Sequence, residues 1–272
     1  MIKSKREFNM RSLPIFLLLA LVSFTACQQG GSDAAEEKAA AEEQPQEMAY
    51  TLTPFSASTA YPNAVMESMA FTNGQFDFTM SNYELGIQTP DADSKMCANS
   101  DKGQHIHLIV NTQPYAAKYE ASFPYEIEDG EHYILAFLSR SYHESIKNGS
   151  ADIAQMVTVE NNTITSREDI EEPMLFYSRP KGTYVGKANT DKVMLDFFLK
   201  NVELGDQYMV KAQINDEVHM LDTWQPYYIE GLPMGENLIT LTLVDKDGNK
   251  VDTPLNPVSR KFTLMEDPAE NM

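Results

Sequence analysis

The chain repeats itself once, and its two copies differ at one place. Asn82-Tyr83-Glu84-Leu85-Gly86 returns as Asn201-Val202-Glu203-Leu204-Gly205. Pro124-Tyr125-Glu126-Ile127-Glu128 returns as Pro226-Tyr227-Tyr228-Ile229-Glu230, and Gly130-Glu131 as Gly235-Glu236, each ahead of an apolar run. Three matches in one order mark a duplicated domain. Between its Leu-Gly and its Pro-Tyr the first copy is longer by roughly 17 residues. It also holds four of the five histidines.

The period of each copy is that of strands. Val193, Leu195, Phe197 and Leu199 alternate with Met194, Asp196, Phe198 and Lys200, the pattern of a half-buried strand. Phe76, Phe78 and Met80 keep the same phase in the first copy, with Asp77 at the place of Asp196. Leu238 to Leu243 alternate and run into Asp245-Lys246-Asp247-Gly248-Asn249, a hairpin signal. A Pro-Tyr-x-Ile-Glu segment, a Gly-Glu corner and a long strand resemble the E–F corner and F–G hairpin of immunoglobulin-like domains. Long amphipathic helical periodicity is absent. The expectation is an all-β chain of two tandem immunoglobulin-like β-sandwiches, at 49–165 and 170–266. The acids Glu168, Asp169, Glu171 and Glu172, with Pro173, read as the connector, and Trp224 as second-domain core. If both copies share one register, the outward positions Leu238, Thr240 and Thr242 correspond to Tyr133, Leu135 and Phe137. The first copy then presents an apolar face that the other domain or a partner must cover.

The N-terminus predicts an address. Lys3, Lys5, Arg6 and Arg11 precede the apolar run 14–22, too short to span a bilayer, which ends in Phe24-Thr25-Ala26-Cys27. Residues 1–26 read as a lipoprotein signal peptide, with Cys27 lipidated as the first mature residue. Residues 27–48, mostly Gln, Gly, Ala and Glu, cannot bury a core and read as a disordered acidic tether. The expected location is a bacterial cell envelope, lipid-anchored, at the outer membrane. The net charge is −19; the signal carries four bases and one acid, so its removal leaves −22. That charge argues against nucleic acid as a partner. With Cys27 lipidated, Cys97 stands alone and no disulfide framework is available.

The differences between the copies collect at one end of the first domain. His105-Ile106-His107-Leu108-Ile109-Val110 is a strand by composition, and residues i and i+2 share a face. Taken as strand C, it is the antiparallel neighbour of strand F at 132–138, so the segment leaving F, Ser139 to Ser145, lies beside the start of C. His105, His107 and His143 are the first candidate metal ligands. Glu144, and Met96 and Cys97 from the insertion at about 87–104, are further candidates. His, Cys and Met together suit copper; His with Glu144 suits zinc. His132 falls at the opposite end. The second copy has Tyr208 to Lys211 at the corresponding place and is not expected to bind metal.

Other roles for these residues stay open. Arg140, His143 and Glu144 form a hydrogen-bonding set that can order the loop tip. Arg140 and Tyr142, with the serines around them, can instead recognise a protein, (phospho)peptide or glycan ligand. Chain-adjacent His143-Glu144-Ser145 is not triad geometry, and no Gly-x-Ser-x-Gly or His-Glu-x-x-His occurs, so no enzyme is read.

Gly103-Gln104-His105-Ile106-His107, Gln113-Pro114-Tyr115 and Ser139-Arg140-Ser141-Tyr142-His143-Glu144-Ser145 resemble a family of bacterial secreted proteins and lipoproteins. It pairs a Gly-x-His-x-His strand with a Ser-Arg-x-aromatic-His-Glu-Ser loop, and some members are labelled phosphopeptide-binding. The resemblance covers roughly residues 100–150. It implies that strand and loop work together; it implies no reaction.

Overall fold

A computed structural model describes residues 50–271. The expected signal segment, Cys27 and the tether lie outside the described residues. Glu47–Met272 form one compact unit.

Nine strands make up the first half: β1 (Thr51–Pro54), β2 (Val65–Thr72), β3 (Gln75–Ser81), β4 (His105–Val110), β5 (Ala116–Lys118), β6 (Ser122–Pro124), β7 (Gly130–Ser139), β8 (Asp152–Glu160) and β9 (Thr163–Asp169). The second half carries β10 (Met174–Arg179), β11 (Gly182–Val185), β12 (Lys192–Lys200), β13 (Tyr208–Ile214), β14 (Glu217–Leu221), β15 (Tyr227–Glu230), β16 (Gly235–Asp245) and β17 (Val258–Met265). Sheets β2-β3-β6 and β5-β4-β7-β8-β9 face each other as one sandwich, and β1-β15-β12-β10 and β11-β17-β16-β13-β14 as another. Without β1, β9 and β11, both halves reduce to one strand order, A-B-E over C′-C-F-G, the Greek-key sandwich the repeat implied. The repeated motifs fall at equivalent places. Asn82 and Asn201 each follow strand B, both with φ 56°. Asn tolerates that left-handed turn better than most side chains do.

Each sandwich has its own core. Phe76, Phe78, Ile106, Leu108, Ile134 and Ala136 fill the first. Leu195, Phe197, Leu199, Ile239, Leu241 and Phe262 fill the second. A third apolar cluster joins them. Ile109, Leu135 and Phe137, on the outer face of the first domain's larger sheet, pack against Met174, Phe176 and Phe198 from the outer face of β10 and β12. The apolar face expected on the first copy is therefore covered by the second copy.

That seam corrects the half-buried reading of β12. Val193–Leu199 is buried throughout, Met194, Asp196 and Phe198 included, because the first domain covers their face. Trp224 sits at the rim of both clusters, partly buried, its Nε1 donating to the Phe197 carbonyl at 3.0 Å.

The chain also departs from the expected 49–165 division. β1 pairs with β15 of the second sandwich, Thr51 opposite Glu230. It covers the backbone edge that β15 would otherwise leave open. Residues 55–64 then cross to the first domain. β9 runs to Asp169, so part of the expected connector is strand, and Ile170 is buried in the seam. The Asp-Gly turn forms, with Asp245 N–H donating to Asn249 O at 2.9 Å, but the next strand begins only at Val258. Among the described residues no helix is long and apolar enough to cross a membrane.

Candidate metal centre

β4 pairs with β7, His105 opposite Ser139 and His107 opposite Phe137. Ile106 and Leu108 point into the first core. Alternation sends His105, His107 and Ile109 to the other face, where the second domain lies. Both histidines are fully buried. His143 reaches them from the loop after β7 and is only half-buried. It holds φ 70°, a left-handed conformation uncommon for a residue with a Cβ.

The loop is fixed from several sides. His143 N–H donates to Arg140 O at 2.8 Å, and Arg140 N–H to Glu144 O at 3.0 Å. Ser145 N–H donates to Asp196 of β12 at 3.1 Å. The insertion wraps the outside: Ser100 N–H donates to Ser141 O at 2.9 Å, and Ser141 N–H to Thr89 Oγ1 at 2.9 Å. Strain at His143 persists because its neighbours are over-determined.

Three nitrogens converge. His105 Nε2 lies 2.9 Å from His107 Nε2 and 3.0 Å from His143 Nδ1, and the last two are 3.3 Å apart. Ligands on one face of a tetrahedron ~2.05 Å from a zinc ion stand about 3.3 Å from each other. The triangle is that face, slightly contracted, with the fourth position open. On His105 the outer nitrogen has a carbonyl acceptor, which leaves the inner one bare. His105 Nδ1 lies 2.8 Å from Gly103 O and donates to it, and His107 Nδ1 lies 3.4 Å from Ser178 Oγ. Such partners orient ligating imidazoles and fix their tautomers.

The rings are neutral at pH 7. Burial pulls His105 down to about 4; Arg179 and Lys181 add to this, and the Gly103 hydrogen bond partly offsets it. Burial likewise holds His107 and His143 well below the ordinary imidazole value, with the neighbouring histidines, Arg179 and Lys181 reinforcing it. Neutral imidazoles are what a metal needs. Without an ion, one proton on His107 Nε2 can serve the other two lone pairs; an ion serves all three.

Of the six expected ligands, three come together. Glu144 is buried but turned away, paired with Arg140 at 3.5 Å and bonded to Ser58 Oγ. Met96 is 59% exposed. Cys97 is buried among Phe55, Tyr142, Met194 and Tyr228, and burial pushes its thiol up to about 11. His132 is held at the far end by Asn111 and the Glu128 carbonyl. The expected recognition residues, Arg140 and Tyr142, are both buried and bonded within the chain. Arg140 donates to the Thr59 carbonyl through Nε and Nη2 and to Ser145 O through Nη1. Tyr142 is fully buried against Phe55, its hydroxyl donating to Asp91 at 3.1 Å.

Sequence reasoning missed five neighbours, Tyr119 beside His105 with ring centroids 5.0 Å apart among them. Tyr115 stacks on His107 with centroids 3.7 Å apart and planes at 9°. Ser178, Arg179 and Lys181 arrive from the second copy. Tyr115 stood in the Gln-Pro-Tyr motif; the other four carry no local signal.

No protein-family model matches this chain, and no curated protein matches it. Solved structures similar to parts of it include the fibronectin(III)-like modules of Clostridium thermocellum CbhA, at 15% identity and a TM-score of 0.27, covering 35% of this chain and 99% of that one. Another is the extracellular domain of a putative hybrid two-component system from B. thetaiotaomicron, at 10% identity and a TM-score of 0.26. That match covers 76% of this chain and 40% of that one. The assignment to sandwich domains rests on the strand order itself.

Proposed function

We propose that this protein is a non-enzymatic metal-binding lipoprotein of the bacterial cell envelope. It holds one zinc or copper ion on His105, His107 and His143. The observation that carries the reading is the convergence of three neutral imidazole nitrogens within hydrogen-bond distance of one another. An all-imidazole set suits zinc or copper(II), and the absence of Cys97 and Met96 from the cluster removes the argument for copper(I). Cys27 would carry the lipid anchor and 27–48 the tether, placing the site on the outer membrane's periplasmic or outer side. Burial of Arg140 and Tyr142 favours metal over recognition of a peptide or glycan by that loop.

The test is the metal content of residues 47–272, purified without a metal-binding tag, then chelated and reloaded with one equivalent of zinc or copper. About one ion per chain is expected, lost when His105 and His107 are both changed to Ala. A wild-type protein that retains neither metal sinks the reading.

A further inference from the structure

The surroundings of the three histidines are positively charged, and among the described residues no acid pairs with these charges. Arg179 is 4% exposed, and its Nε and Nη1, which carry three N–H bonds, have no acceptor. Its Nη2 donates to Tyr184 Oη at 2.8 Å. The residue follows Ser178, whose hydroxyl touches His107, at the point where the β10–β12 register shifts. Lys181 Nζ donates to the Tyr115 carbonyl at 2.8 Å and lies 4.1 Å from the centroid of the ring that stacks on His107. Arg260, with Nη1 also lacking an acceptor, lies 4.8 Å from the centroid of the Tyr177 ring.

The other buried cations nearby are neutralised. Lys95 pairs with Asp91 at 3.2 Å, Arg140 with Glu144 at 3.5 Å and Lys147 with Asp196 at 2.7 Å. Among the described residues, no ion pair includes Arg179, Lys181 or Arg260. A buried charge without a partner is strongly destabilising, and a divalent ion on three neutral ligands adds to the excess. The ion's open position and the unused N–H groups call for one thing, an acceptor with negative charge.

We propose that the fourth ligand of this metal is a small anion from solvent, a carboxylate or an inorganic monoanion, held against the ion by Arg179 and Lys181. The inference rests on the histidines being a metal site. It makes the protein a binder of a metal–anion pair, and it gives the second sandwich a part in the site, since both cations come from that copy. In such an arrangement each component tightens the binding of the other by the same factor.

The experiment uses residues 47–272, the compact unit that contains both cores. Cobalt(II) is loaded as a spectroscopic probe and azide is titrated while the visible spectrum is followed; acetate is then added as competitor. A saturable spectral change is expected, reversed by acetate, with azide affinity lowered about tenfold or more in Arg179→Met. Lys181→Gln, at a half-exposed position, should lower it by a smaller factor and stands in if the Arg179 variant does not fold. Cobalt bound with a spectrum that azide leaves unchanged, or changes equally in the wild type and the variants, overturns the anion ligand and leaves the metal site standing. No cobalt bound overturns both.

Discussion

Acid should destabilise the metal-free protein, and the histidine cluster sets how steeply. In the unfolded chain each imidazole takes up a proton near pH 6.5. In the folded chain burial delays this to about 4 for His105, and well below the ordinary value for His107 and His143. Between those limits the unfolded chain binds more protons, so stability falls as pH falls. One such ring lowers it by about 1.4 kcal/mol per pH unit. From pH 6.5 to its own value, His105 alone removes about 3 kcal/mol. His107 and His143 shift in the same direction and add to this loss, against a total stability of ~5–15 kcal/mol for an ordinary domain. A bound ion occupies the same lone pairs, so the loaded protein should begin its loss at lower pH. The assay is denaturant unfolding followed by Trp224 fluorescence, between about pH 7.5 and about pH 4.5. It compares chelated wild type, zinc-loaded wild type and chelated His107→Leu. The variant's curve should be shallower than that of the chelated wild type. If the chelated wild type and His107→Leu lose stability in parallel, the neutral, buried cluster is refuted.

Three further outcomes follow from the packing. Gly103→Ala should weaken metal binding and stability together, because Gly103 has φ +83° and a Cβ there would lie 2.4 Å from the Ile87 carbonyl oxygen. The residue would have to move, carrying with it the carbonyl that holds His105; metal competition titrations and thermal melts read both effects. Phe137→Ala, fully buried between the His107 and Phe198 rings, should remove about 3–5 kcal/mol. Leu238→Ala on the exposed face of β16 should change stability by under about 0.5 kcal/mol in the same unfolding experiment.

Much of this molecule was legible before any coordinates. Alternation in Leu238–Leu243 and in Phe76–Met80 places strands because a pleated strand reports its two faces every second residue. The repeat then supplied the topology, and topology set the His143 loop beside the His105–His107 strand. Met96 is exposed and Cys97 packs among Phe55 and Tyr142, because both lie in an insertion without period, where chain proximity to His105 says nothing about direction. Alternation puts Met194 and Phe198 on the outward face of β12, since it identifies two faces and not what lies against each.

The residue pattern alone carries what is local and repetitive: two sandwiches, a histidine pair on one face of a strand, and an apolar outer face in need of cover. What meets that face follows from how the two domains pack. β1 crosses to the second sandwich, β10 and β12 close over Ile109, Leu135 and Phe137, and Ser178 of β10 reaches His107 beside a register shift. The reason is physical. Strand periodicity is enforced between neighbours in the chain, whereas the contact of His107 with Ser178 spans 71 residues and depends on how two finished surfaces fit together.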